Sequence, residues 1–166
     1  MVEFLFRASC YFFPVFPLLT RLVLCLRWRK QMSEELSEAA QERDVSRTFI
    51  FSLAGFSFTA VAGLAVLDSE VRVSLQLPTW YVLASFVAFI SSVNVQSYKV
   101  TRWQNQLATA LLEVGTFCLM LALVDLLFTA KFAEVFQWVA MAVTLGAWGV
   151  DHVLRIKFDN DHLADL

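Results

Sequence analysis

The sequence predicts an all-α protein: a polytopic membrane helix bundle of four transmembrane helices, with an N-terminal membrane-associated amphipathic helix that is a candidate fifth span. Three observations predict it. Of the 166 residues, 58% are apolar and 17% charged, against roughly 45–50% and about 25% in an average soluble domain; mean hydropathy is +0.62. The apolar residues gather in runs between charges, each near the roughly 20 residues needed to cross about 30 Å of hydrocarbon as a helix. With 16 Phe and 5 Trp against 5 Gly and 3 Pro, the chain lacks the turn chemistry of a β-sandwich or a linker. A soluble bundle is disfavoured because 48–67 is apolar or small on every side, as a water-facing helix cannot be.

The first segment, residues 1–30, holds a Phe- and Leu-rich run over 4–26 that ends in Arg27-Trp28-Arg29-Lys30. A secretory signal fits poorly, because the basic cluster follows the apolar run instead of preceding it. Glu3, Arg7, Cys10, Pro14, Pro17 and Arg21 recur at steps of four and three, so nearly everything that is not bulky and apolar falls on one narrow helical stripe. Pro14 and Pro17 each remove an internal hydrogen bond, and carbonyls freed in hydrocarbon need partners. The expectation is an interfacial or broken helix in preference to a continuous span, with Arg27 to Lys30 among anionic headgroups.

Residues 31–47 form a charged cytoplasmic helix. Ser33, Glu34 and Glu35 suit a cap and an acidic first turn, and Leu36, Ala39, Ala40 and Arg43 make one weak face. It reads as a solvated extension of the first span or as a docking surface for a soluble partner or a second copy. The bundle itself occupies 48–153, with spans at about 48–67, 79–98, 107–130 and 132–153. The first is bounded by Arg47 and Asp68. In the second, Pro78 suits a first helical turn, Thr79 offers a nearby hydroxyl, and Trp80, Tyr81 and Tyr98 mark the interfaces as an aromatic belt. A short cytoplasmic tail, 154–166, ends in an acidic stretch that reads as frayed.

Orientation follows from Lys and Arg in the short connections. Arg27, Arg29, Lys30, Arg43, Arg47, Lys99, Arg102, Arg155 and Lys157 fall on one side, and Arg72 and Lys131 on the other. Both ends of the four-helix unit, including the C-terminus, should face the cytoplasm of a plasma or inner membrane. The first seven of those cations are the candidate contacts to lipid headgroups or to a soluble cytoplasmic partner.

Within lipid, helices associate through small residues and interhelical hydrogen bonds. Gly55, Thr59 and Gly63 share one face of the first span, and Ala142, Gly146 and Gly149 one face of the fourth; these serve either packing within the bundle or a homo-oligomer. Ser85, Ala88, Ser91, Ser92 and Asn94 give the second span a polar side, with Asn94 the expected interhelical bond former. A carboxylate inside a span costs about 2.5–3.5 kcal/mol on insertion scales, which marks Glu113 and Asp125 as candidates for function. Twelve residues apart, they lie about 18 Å apart along the helix and about 120° around it, so they cannot share one site in a single copy. Glu113 is expected to reach a neighbour such as Asn94, and Asp125 to reach water or Lys131. His152 reads as an interfacial residue beside Asp151 and Arg155.

Other classes find little support. A net charge of −2 provides no basic field for direct nucleic-acid binding. Cys10, Cys25 and Cys118 are odd in number and lack zinc or disulfide spacing, so buried structural thiols are expected, with no metal and no cofactor. No spacing of Ser, His, Asp or Glu provides a catalytic pair. The expected function is a small non-enzymatic membrane subunit, one that oligomerises or anchors or signals to a cytoplasmic partner, an architecture compatible with the membrane component of a multi-protein sensing or defence system. The alternative is an oligomeric ion channel or small proton or ion transporter using Glu113, Asp125 and Asn94.

Overall fold

Each expected span overlaps one long helix in the computed structural model of the protein, which describes residues 15–29, 40–96, 101–129 and 134–164, the side chains of 40–46, 72, 134 and 162–164 excepted. The elements are α1 (Phe16–Arg27), α2 (Ala40–Ala65), α3 (Ser69–Ser74), α4 (Gln76–Gln96), α5 (Arg102–Thr129) and α6 (Glu134–Ala164). Four of them, α2, α4, α5 and α6, are long and apolar enough to cross a membrane. The protein is an all-α membrane helix bundle.

Pro78 falls in the first turn of α4, where a missing N–H costs nothing because the helix has no partner for it. The Thr79 hydroxyl donates back to the Leu75 carbonyl at 2.7 Å. α5 and α4 form the centre, with α2 on the outer side of α4 and α1 and α6 against α5. One apolar cluster joins Tyr81 and Val82 of α4 to Phe117, Cys118 and Leu121 of α5 and Trp148 of α6. A second joins Ile50 and Ala54 of α2 to Phe89 and Val93 of α4. Tyr81, expected at an interface, is therefore core; Trp80 beside it is exposed.

Polar bonds between helices follow the small face of α4, in part as expected. Ser85 and Ser92 are fully buried: Ser85 shares a hydrogen bond with Ser57 of α2 at 3.0 Å, and Ser92 donates to the Ala108 carbonyl of α5 at 2.8 Å. Asn94 is a correction. It is exposed, because two residues beyond Ser92 turns a side chain about 200° around the helix axis. Cys25 and Cys118 are buried free thiols, as expected.

Two boundaries also change. α6 continues through the expected tail to Ala164, because Asp159 and Asn160 find partners on α1. α1 begins at Phe16 with Pro17 in its first turn; the earlier part of the expected N-terminal segment, residues 1–14, lies outside the described residues. Phe16 and Thr20 meet His152, and Trp28 meets Asn160, so α1 runs alongside α6 in the same chain direction. The ends of α1 and α6 and the start of α5 share one end of the bundle, where Arg47 also donates to the carbonyl of Gln96 at the end of α4.

Candidate functional site

A polar stripe on α1 has one buried centre. Pro17, Arg21, Leu24 and Cys25 are buried, whereas Leu19, Leu22, Val23 and Leu26 are exposed. The spacing that marks an amphipathic helix in water works here the other way round: the polar stripe faces protein and the bulky apolar residues face outward, as suits a helix surrounded by hydrocarbon.

Arg21, with a side-chain exposure of only 2%, meets groups from two other helices. α5 contributes Gln106 and Glu113, and α6 contributes His152 and Asp159. Both pairs are seven residues apart, and two helical turns return a side chain to the same face. One guanidinium nitrogen of Arg21 donates to Gln106 Oε1 and, at 2.8 Å, to Asp159 Oδ2; the other donates to Glu113 Oε1. The second carboxylate oxygen of Glu113 lies 2.8 Å from Nδ1 of His152. Nε2 of His152 then lies 3.1 Å from the Thr20 hydroxyl, back on α1. Glu113 and His152 are 6% and 3% exposed. The His152 ring is set between Trp148, stacked at 5.2 Å and 10°, and Phe16, tilted at 5.5 Å.

The arrangement binds α1 to the bundle by charge. Isolated, a buried carboxylate or guanidinium is costly; paired and hydrogen-bonded on several sides, each supports the other. Arg suits this place because its planar fork serves several acceptors at once, which a lysine ammonium does not match. Both oxygens of Glu113 are engaged, and among the described residues no group of His, Cys, Asp and Glu could hold a metal ion.

The Thr20 hydroxyl joins α1 to the far side of the His152 ring. Its oxygen lies 3.1 Å from the carbonyls of both Phe16 and Pro17 as well as from His152, and a hydroxyl has one hydrogen to give. It can donate to only one of the three, while the Nδ1 side of His152 stays turned to Glu113.

Sequence reasoning found Glu113 but not its partners. His152 is a correction: it turns inward to Glu113 while its neighbours Asp151 and Arg155 pair outside at 2.7 Å. Asn94 plays no part beside Glu113. Asp125, on the same helix but twelve residues on, is half-buried and outside this cluster. Arg27 and Arg29 are exposed, and Arg47 and Arg102 half-buried; Lys30, Lys99, the side chain of Arg43 and the stripe residues Glu3 to Pro14 lie outside the described residues. Gly55, Thr59, Gly63, Ala142 and Gly146 are exposed and Gly149 half-buried. Among the described residues, a Cβ at Gly55, Gly63, Gly146 or Gly149 would meet nothing within 4 Å, whereas one at Gly115 would strike Phe89. Comparison with protein-family models, curated proteins and solved structures finds no significant match to this chain.

Proposed function

We propose that this chain is a small non-enzymatic membrane subunit that self-associates through α2 and α6 and presents its basic end to a soluble partner in the cytoplasm. One observation carries the reading: Gly115 is covered by a neighbouring helix, whereas a Cβ at each of the other four glycines would meet none of the described residues within 4 Å, in two patches at helical spacing. Small residues without a partner suit close approach by a helix of another copy, since apolar burial alone gains little between helices in lipid. The excess of Lys and Arg supports placing the ends of α1 and α6, the C-terminus included, on the cytoplasmic side. A partner would meet residues 27–47 and the 99–106 loop there.

The test is the mass of the protein in nanodiscs. A discrete oligomer is expected, and Gly63→Leu or Gly146→Leu should each shift it to smaller species, because a leucine side chain keeps a neighbouring backbone from approaching. A wild-type monomer would overturn self-association through these faces.

The contact between Glu113 and His152 favours a second reading, in which the network takes up and releases a proton and the chain carries protons as an oligomer. Asn94 is not part of that reading, since it points away from Glu113. Glu113→Gln keeps shape but removes the charge; under this reading it abolishes proton flux into vesicles. Unchanged flux, or none from the wild-type protein, would leave the subunit reading alone.

A further inference from the structure

Besides the Arg21–Asp159 ion pair, α1 and α6 touch at two polar joints, Thr20 with His152 at 3.1 Å and Trp28 Nε1–H donating to Asn160 Oδ1 at 3.2 Å. The joints are eight residues apart on each helix, about 12 Å of rise. Between them lies a groove of about 590 Å³, within the roughly 300–1,000 Å³ of small-molecule sites. Its walls are apolar, with Leu19, Val23 and Leu24 from α1 facing Val153 and Ile156 from α6.

Leu19, Val23 and Val153 are each more than half exposed, and they belong to helices whose outer surfaces face hydrocarbon. The groove therefore opens sideways into the bilayer, and an occupant enters from the lipid. At the Trp28–Asn160 end stand two exposed cations, Arg27 and Lys157; the Arg27 guanidinium lies 5.5 Å from the centre of the Trp28 ring. No acidic side chain is among the described residues that line the groove. An apolar slot with two positive charges at its polar end is complementary to a molecule with a long hydrocarbon chain and an anionic head. Basic pockets between membrane helices bind anionic headgroups in this manner, and anionic lipids are concentrated in the cytoplasmic leaflet.

We propose that the α1–α6 groove binds one anionic phospholipid, with an acyl chain lying along Val23, Val153 and Ile156 toward His152 and the headgroup phosphate between Arg27 and Lys157. On α6 the slot continues the stripe of Ala142, Gly146 and Gly149, because Val153 and Ile156 follow Gly149 at steps of four and three, and as a lipid site it needs no second copy of the chain. A zwitterionic lipid shares the acyl chain but not the net charge, so headgroup selectivity rests on the two cations and occupancy on the slot.

The full-length protein, released from nanodiscs of equal phosphatidylglycerol and phosphatidylcholine, should carry one retained lipid by native mass spectrometry. Two cations at about 1 kcal/mol each predict a preference for phosphatidylglycerol of up to about thirtyfold. Arg27→Gln with Lys157→Gln should retain both lipids equally. Val23→Trp, at an exposed position where the fold tolerates bulk, should retain neither. A wild-type protein with no retained lipid, its groove closed by another part of the chain or a second copy, would overturn the proposal. So would a phosphatidylglycerol preference that survives the double cation variant, or a retained lipid that survives Val23→Trp.

Discussion

Arg21→Met is expected to detach α1 and to destabilise the bundle by about 3–5 kcal/mol, the usual result of removing one partner of a buried ion pair. The methionine fills most of the space, so little of the loss comes from packing. What remains is Glu113, shut away from water with one of its two oxygens unserved, together with Gln106 and Asp159, which lose the donor they share. Cys25, one turn along the same face of α1 and buried, reports the outcome directly. In a Cys10→Ser background, maleimide should leave Cys25 unlabelled in the wild type and modify it readily in the variant, while Cys118, in the α4–α5–α6 core, stays protected in both. Adding Glu113→Met should restore part of the lost stability, since an apolar pair in place of a buried ion pair is often neutral or better. An unchanged unfolding midpoint and a protected Cys25 in Arg21→Met would show that packing alone holds α1.

Much of this fold can be read from charge spacing. The spans are bounded by Arg47, Asp68, Arg72 and Lys99, and a carboxylate at Glu113 stands out in an apolar helix because hydrocarbon makes it expensive. The polar stripe through Pro17 and Arg21 is equally legible. Its meaning is not: the same periodicity describes a helix lying at the headgroups and one whose polar side faces protein, and only the identity of the neighbour separates them. The partner of Glu113 had a weak signal. Gln106 and Glu113, like His152 and Asp159, are polar pairs two turns apart in or beside apolar helices, and such pairs imply a shared face turned toward something polar. Arg21, from a segment more than eighty residues away, is what they share, and no local pattern contains that pairing.

Asn94 shows the opposite limit. Residue type favours it as a bond former between helices, yet the register of α4 is set by Ser85, Ala88 and Ser92, at steps of three and four, and these carry the contact with α2 and α5. Once they face inward, Asn94 must face away. The end of α6 was hidden for a related reason. Asp159 and Asn160 look like a solvated terminus until Arg21 and Trp28 stand opposite them, and helix propensity alone does not anticipate tertiary partners.

Gly115→Ala should be the more damaging of two chemically identical changes, the other being Gly149→Ala. In a helix interior, replacing glycine by alanine ordinarily gains up to about 1 kcal/mol from backbone entropy. Gly149 has open space where its Cβ would stand, so that gain should appear in the protein dispersed as a monomer in detergent. At Gly115 a Cβ would lie 2.5 Å from Cε1 and 2.7 Å from Cδ1 of Phe89. The ring cannot swing aside cheaply, because Phe89 is fully buried and held in the cluster with Ile50, Ala54 and Val93. α4 and α5 must then separate along the most extensive helix contact of the bundle. Overpacking of this kind costs typically about 1–3 kcal/mol, enough to exceed the propensity gain. The unfolding midpoint should fall for Gly115→Ala and hold or rise for Gly149→Ala, and Gly115→Ala with Phe89→Leu should recover much of the loss by removing the ring edge. If Gly115→Ala matches Gly149→Ala in stability, α4 and α5 are not in the close register that brings Phe89 onto Gly115.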